Sequence, residues 1–344
     1  MFETRLKIRT KFANLKLRKK REKVTQQVQD TSIFSLFTKT FFKIFLLVFF
    51  GAVVLIPFAY MFIVANLNRQ ISLGLKNGMN LFENIAKPKE WNIGQNISAA
   101  WSNPTNGWQN GYWFSFLLTF SNVIFSNVLK ILITMFLGYA FSLKQWRGKS
   151  FVWFILMSLL ILPEVALLSG QYWMKVRLNE LLTKTVGIST AKNSAYLFFN
   201  NLFFIAIPFV ASIFNALMFR NAFEAIPNRI KEVAMIDNAV GLKYMFKIAI
   251  PMVSPTTLTV IILTTLASWN SYLWPSLIAG TNYRVMSVWL FSVGKVNNGV
   301  EEIVYPSIKM AGAILVILPM FAFYFVFRKK IMSSISRQGS TIKG

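Results

Sequence analysis

NRIKEVAMIDNAVGLKYMFKIAIPMVSP, from Asn228 to Pro255, is polar, charged and patterned for helix in a chain whose other long segments are apolar. Pro227 precedes it, and Glu232 is expected in the first turn, where a carboxylate suits the positive end of the helix dipole. Its apolar residues Ile230, Val233, Ala234, Ile236 and Ala239 form no run long enough to cross a bilayer. Asn238 and Gly241 follow; both residue types tolerate a left-handed backbone, so the chain is expected to turn there. A second helical piece from Leu242 is expected to stop at Pro251, with Pro255 opening the next apolar run. Such a pair, set between spanning segments, either packs on its own bundle or is presented to another protein.

The rest of the chain supplies the bilayer. Of 344 residues, 55% are hydrophobic and 14% charged, which does not suit a soluble domain of this length. The sequence has neither cysteine nor histidine. Disulfides, thiolate metal sites, a cysteine nucleophile and the commonest general base are thereby excluded. No catalytic residue and no metal site emerge.

Apolar windows of about twenty residues, enough to cross a hydrocarbon core of about 30 Å, predict six spans. They run from Phe42 to Val64, Ser121 to Leu143, Phe151 to Ser169, Ala195 to Met218, Pro255 to Trp274 and Ile308 to Phe327. The first follows a long arm and has no small-residue cleavage site close behind it, so it is expected to remain as an anchor. The fold class expected is an all-α integral membrane protein with six transmembrane helices.

Lys and Arg set the orientation. They crowd the stretch from Arg5 to Lys43, then Lys144, Arg147 and Lys149, then Arg220, Arg229, Lys231, Lys243 and Lys247, and finally Arg328, Lys329, Lys330, Arg337 and Lys343. Those segments share one face, so both termini are expected in the cytoplasm of a multi-pass bacterial plasma-membrane protein. The net charge of +25 is then chiefly a topology signal. A basic run beside a first span reads as retention and contact with anionic membrane lipids, not as a nucleic-acid site.

The expected organisation is a basic cytoplasmic arm over 1–40, a first transmembrane helix over 41–65 and an extracytoplasmic loop over 66–113. A core with five transmembrane helices follows over 114–330, and a cytoplasmic tail over 331–344. The arm is read as an interfacial helix or an unstructured segment. In the external loop, Trp91, Trp101, Trp108 and Trp113 read either as interfacial belt residues or as a sugar-stacking platform. Polar groups at membrane depth are candidates for a substrate path. Glu164 after Pro163 is one, and Trp269, Asn270, Tyr272 and Trp274 near the end of span five are the others, although Trp and Tyr there also suit a belt. Lys130 and Lys309 are placed near the ends of apolar runs, where they would snorkel.

The central segment resembles the EAA loop of the permease subunits of ABC importers. That frame is Glu-Ala-Ala, three residues, Gly, nine residues, Ile, one residue, Leu-Pro. Here it reads Glu232, Val233, Ala234, then Asn238, then Ile248, Ile250 and Pro251, with Asp237, Ala239 and Phe246 also in place. Val233, Asn238 and Ile250 depart from it conservatively. Further stretches are similar to the carbohydrate-importer permeases of the MalG type: FSNVLKILI, GYAFSLKQWRGKS, ILPEVALL, FRNAFEAIPNRIKEVAMIDNA and ASWNSYLWPSLI, in that order, with Ser271 where the family has Asp. The resemblance covers about Asn122 to Gly344.

It implies one half of a transmembrane path for a carbohydrate or related polyol. The partners implied are a homologous second permease, two cytoplasmic ABC ATPase subunits and an extracytoplasmic solute-binding protein. ATPase coupling would fall to Glu232, Ala234, Asp237, Asn238, Ala239, Phe246, Ile248 and Pro251. Glu232 and Asp237 would make polar contacts, Ala234 and Ala239 would permit close approach, and Pro251 would set the junction to span five. No cofactor is expected on this chain; ATP and Mg belong to the partner ATPase. Arg147-Gly148-Lys149-Ser150 supplies only the tail of a phosphate-binding loop, with Leu143 where the first Gly is needed, and Gly294-Lys295 is followed by Val296. The alternative reading, an ion-coupled secondary transporter of a small polar solute, rests on Glu164 alone.

Overall fold

In the computed structural model, the described residues are 33–74, 92–102, 111–143, 146–186, 194–278, 283–297 and 302–340. The arm before 33, and Trp91 and Trp108 of the external loop, lie outside them. The chain forms two units, one ending at Tyr60 and one beginning at Met61.

Helix α1 (Ile33–Asn66) carries the first expected span. Its apolar side chains from Phe37 to Phe58 are exposed, as a lipid-facing helix requires. In the second unit its last turn is buried at Val64 and Ala65. The end carbonyls there have no helical partner and are satisfied from outside: Asn96 Nδ2 donates to Ala65 O at 3.0 Å and to Leu67 O at 2.8 Å. Asn96 sits in α3 (Ile93–Ser102), which with the short α2 (Arg69–Gly74) covers one end of the last helix.

Helix α4 (Tyr112–Ser142) is the centre of the second unit, with the helices Ser194–Ala206, Ile213–Glu224, Ser254–Asn270 and Met286–Ser292 packed around it. It begins at Tyr112, well before the expected Ser121. The reason is aromatic packing outside the apolar window. Tyr112 stacks on Trp101 at 4.5 Å and donates to Leu315 O at 3.2 Å, and Phe114 meets Tyr283 at 5.6 Å. Lys130 consequently lies in the body of α4 and not near its end, which corrects the snorkelling expectation. Lys309 does sit close to a helix start, its ammonium 5.3 Å from the Phe291 ring.

The third expected span is not one helix. Helix α5 (Lys149–Leu159) stops before Pro163, and α6 (Glu164–Val186) starts after it. A residue preceding proline is pushed out of the α region, so a window that counts only apolar residues passes over a real break. The fourth is broken as well. Helix α7 (Ser194–Ala206) runs into a 3₁₀ turn at Ile207–Phe209, and α8 (Ile213–Glu224) restarts with Ser212 as its cap, accepting from Asn215 N at 3.4 Å. The two halves are bent by 59°.

Helix α9 (Asn228–Ile236) and helix α10 (Leu242–Met252) form the central segment, followed by α11 (Ser254–Asn270) at 69° to α10. Then come α12 (Leu273–Ile278), α13 (Met286–Ser292), a hairpin of β1 (Lys295–Asn297) and β2 (Glu302–Val304), and α14 (Pro306–Ser340). The two strands pair antiparallel, with Val296 opposite Ile303. Among the described residues, three helices are long and apolar enough to cross a membrane, or up to five if each bent pair is one span. The six expected spans counted Phe151–Ser169, which the break before Pro163 divides.

Candidate functional site

The central segment is built on a close helix crossing. Helix α8 packs along α4, and at Gly138 there is no room for more than hydrogen: an added Cβ would lie 2.5 Å from Phe219 Cβ, 2.8 Å from Arg220 N and 2.9 Å from Ala216 O. Beyond it, Phe219, Phe223, Ile226, Ala249, Val253 and Val260 form a buried cluster that Ile230 of α9 joins. Ile230 and Ala234 stand four residues apart, on one face of the helix, and that face turns inward. Ala234 and Ala239 are buried within the chain. Their small side chains permit close approach to this protein's own body. Since α9 begins at Asn228, Glu232 lies beyond the first turn and not within it.

The outward side of the corner has a different character. Glu232 and Asp237 are exposed. Beside them, and missed from the sequence, Val233, Ile236 and Leu242 are exposed by 52%, 83% and 71%. The available signal was their position off the inward Ile230–Ala234 stripe. Phe246 is also exposed, its ring 6.3 Å from that of Phe136.

The turn between α9 and α10 is made by Asn238, whose φ of 53° is the only positive value at a non-glycine among the described residues. Ala239 N donates to Ala234 O at 2.8 Å and Asn238 N to Met235 O at 3.1 Å. These are the two bonds of a Schellman cap, which needs a left-handed residue between them. Gly241, at φ 61°, completes the reversal. Asn238→Gly is expected to hold stability within a few tenths of a kcal/mol, whereas Asn238→Val should cost about 1–2 kcal/mol for the left-handed conformation. Thermal unfolding, with hydrogen exchange at the Ala239 amide, checks both.

Helix α10 does not stop at Pro251. Its middle, Met245–Ala249, is π-helical, and the helix continues through Ile250–Met252. The wider turn accommodates a proline that lacks an N–H and would crowd a regular α-turn. The direction changes instead at Val253 (φ −88°, ψ 8°). Ile248 is half-buried, Pro251 exposed.

The residues expected along a substrate path are dispersed. Trp269 is buried and packs on Phe116 at 6.2 Å. Trp274, in α12, is buried and donates from Nε1 to Phe204 O at 3.0 Å. Both rings, expected along a substrate path, are buried in the core. Asn270 is exposed at the end of α11, and Tyr272, between α11 and α12, lies against Phe291 at 4.4 Å. Glu164 opens α6, and its side chain lies outside the described residues. Trp101 and Trp113 pack edge-to-face at 5.2 Å beside Tyr112.

No protein-family model matches the chain. It is 40% identical over 337 residues to the "Probable ABC transporter permease protein MG189 homolog" of Mycoplasma pneumoniae, covering 96% of this chain and 97% of the relative. It is 22% identical to the arabinooligosaccharides transport system permease protein AraQ of Halalkalibacterium halodurans, over 68% of this chain and 73% of that one. A chain in the crystal structure of a bacterial ABC transporter that imports the acidic polysaccharide alginate matches with a TM-score of 0.58 at 21% identity, over 88% of this chain and 99% of that chain, a likeness of fold.

Proposed function

The chain belongs to the ABC transporter permeases, and from that premise we propose that it forms half of the transmembrane path of an ATP-driven importer for a carbohydrate or related polyol, coupled to a separate ATPase through the corner Asn228–Met252. It is a transport subunit and not an enzyme. The observation that carries the coupling role is the corner's two-sidedness. Ile230 and Ala234 fasten it to the body, while Ile236 and Leu242 are exposed, as are Glu232 and Asp237. Exposed large apolar side chains together with charged ones suit a protein partner.

An ATPase moves the permease only through contacts that differ between its open and closed states. The corner transmits such a change because its inward face is continuous with the Phe219–Val260 cluster, to which α8 and α11 both contribute. The proposed assembly adds a homologous second permease, two ATPases that bind ATP and Mg, and an extracytoplasmic solute-binding protein. In this reading both termini lie in the cytoplasm, which the Lys and Arg distribution supports, and six passes are completed by α5 and α6 serving together as a broken third span. Carbohydrate is favoured by the AraQ-like relative, which is named for arabinooligosaccharides.

Purification of the tagged full chain from its own membranes in mild detergent tests the reading. An ATPase and a second permease are expected to co-purify, with ATP hydrolysis in the complex. Their absence from a folded preparation overturns it.

A further inference from the structure

We propose that this subunit itself holds a subsite for a small hydroxyl-rich solute at membrane depth, where breaks in three expected spans meet. The inference rests on the permease reading and adds a location and a ligand chemistry to it. A cavity of about 390 Å³ lies beside α4, within the range of about 300–1,000 Å³ usual for small-molecule sites. Its wall includes Leu162 from the break between α5 and α6, Pro208, Phe209, Ala211 and Ser212 between α7 and α8, and Ser271 where α11 ends.

Non-helical backbone at membrane depth is tolerated only where it is buried in protein or lines a cavity. Here three expected spans are interrupted at one place. Two of the interruptions have separate local causes, Pro163 and Pro208, and the third is the end of α11 at Asn270, so their convergence on one cavity does not follow from local sequence alone.

The lining has the chemistry of a hydroxyl-binding site. Asn122, Ser126 and Lys130 come from α4, Gln171 from α6, Ser212 from the α8 cap and Ser268 from α11. At about 1.5 Å per residue, Lys130 lies about 27 Å along α4 from Tyr112 and about 18 Å from Ser142, so it is not an interfacial residue. Polar side chains in mid-span are costly and face cavities. Gln171 Oε1 is buried with no hydrogen-bond partner, an acceptor to be satisfied, while amides and hydroxyls offer donors and acceptors side by side. Sugar and polyol hydroxyls, each donor and acceptor at one oxygen, complement such a set. On α11 the cavity is lined by Ala267 and Ser268, while Trp269 is packed into the core and does not line it.

The natural absence of cysteine provides the test. Ser126→Cys and Ser268→Cys are introduced singly into the full chain, alongside Val128→Cys on the exposed apolar face of α4. A charged, water-soluble thiol reagent is applied in native membranes with and without glucose, maltose, glycerol and sn-glycerol 3-phosphate, which separate neutral from phosphorylated ligands. Labelling at 126 and 268 is expected to run at least about tenfold faster than at 128, because a charged reagent does not enter hydrocarbon, and to be slowed by one or more probes. Labelling no faster than at 128, or protection by none of the four, overturns the subsite. Protection in a chain that captures no ATPase sinks the coupling reading and leaves the subsite standing; capture without protection does the reverse.

Discussion

Ile236→Glu is expected to abolish ATP-driven uptake while leaving the chain folded and in the membrane. Ile236 is the most exposed apolar residue of the corner, so its own fold loses almost nothing when the side chain changes. In the assembled transporter the same residue would stand at the centre of the ATPase contact, where truncating or charging a buried anchor costs about 2 kcal/mol or more. That corresponds to roughly a thirtyfold loss of affinity, enough to empty the seat at ordinary subunit concentrations. Glu232→Lys should act in the same direction with a smaller effect, because an exposed charge at the edge of a contact steers and orients more than it binds. Solute uptake by proteoliposomes, together with capture of the ATPase, measures both. Wild-type capture and uptake by Ile236→Glu would remove the corner from the coupling path.

Gly138→Val should have the largest effect on the fold. The atoms an added Cβ would meet include the backbone N of Arg220 and the backbone O of Ala216, and these cannot swing aside as a flexible side-chain tip would. Overpacking a well-filled contact costs about 1–3 kcal/mol and occasionally more, and a β-branched residue adds a second obstruction on the same helix face. The α4–α8 crossing would have to open, and α8 leads directly into the corner. The expected result is a lowered unfolding temperature in detergent, with uptake lost even in the protein that reaches the membrane. Gly138→Ala should show a weaker form of the same defect. Unchanged unfolding of Gly138→Val would mean that the crossing is looser than the distances at Gly138 imply.

Much of the corner was legible in the sequence because its determinants are local. The turn at 238 could be read from residue type, since asparagine is the best non-glycine occupant of left-handed backbone, and φ at Asn238 is 53°. The apolar runs of α1, α4 and α14 were legible for the same reason. Interruptions were not. Pro163 and Pro208 sit within runs whose average apolarity is high, and an average does not register where a backbone hydrogen bond is missing. Direction was also hidden. Ala234 pointing in and Ile236 pointing out is a matter of rotation about α9 that depends on where α8 delivers the chain. Trp269 and Trp274 misled because an aromatic beside an amide reads alike as a ligand platform, a belt or a core. The contact with Phe116 and the bond to Phe204 O decide between these, and both come from residues far away in sequence.

The π-helical stretch Met245–Ala249 has an effect on phase. One turn that closes on the fifth residue carries one residue more than an α-turn, and every side chain after it is offset by about 100° from where an unbroken α-helix would place it. In this chain Leu242, before the stretch, faces out, while Met245 and Ala249 within it and Val253 after it face in. The segment thus works as a gear between two surfaces, holding the outer one at a set angle to the inner one. Its length in residues is fixed by that angle, so a single insertion or deletion within it would turn one surface away from its partner without altering either.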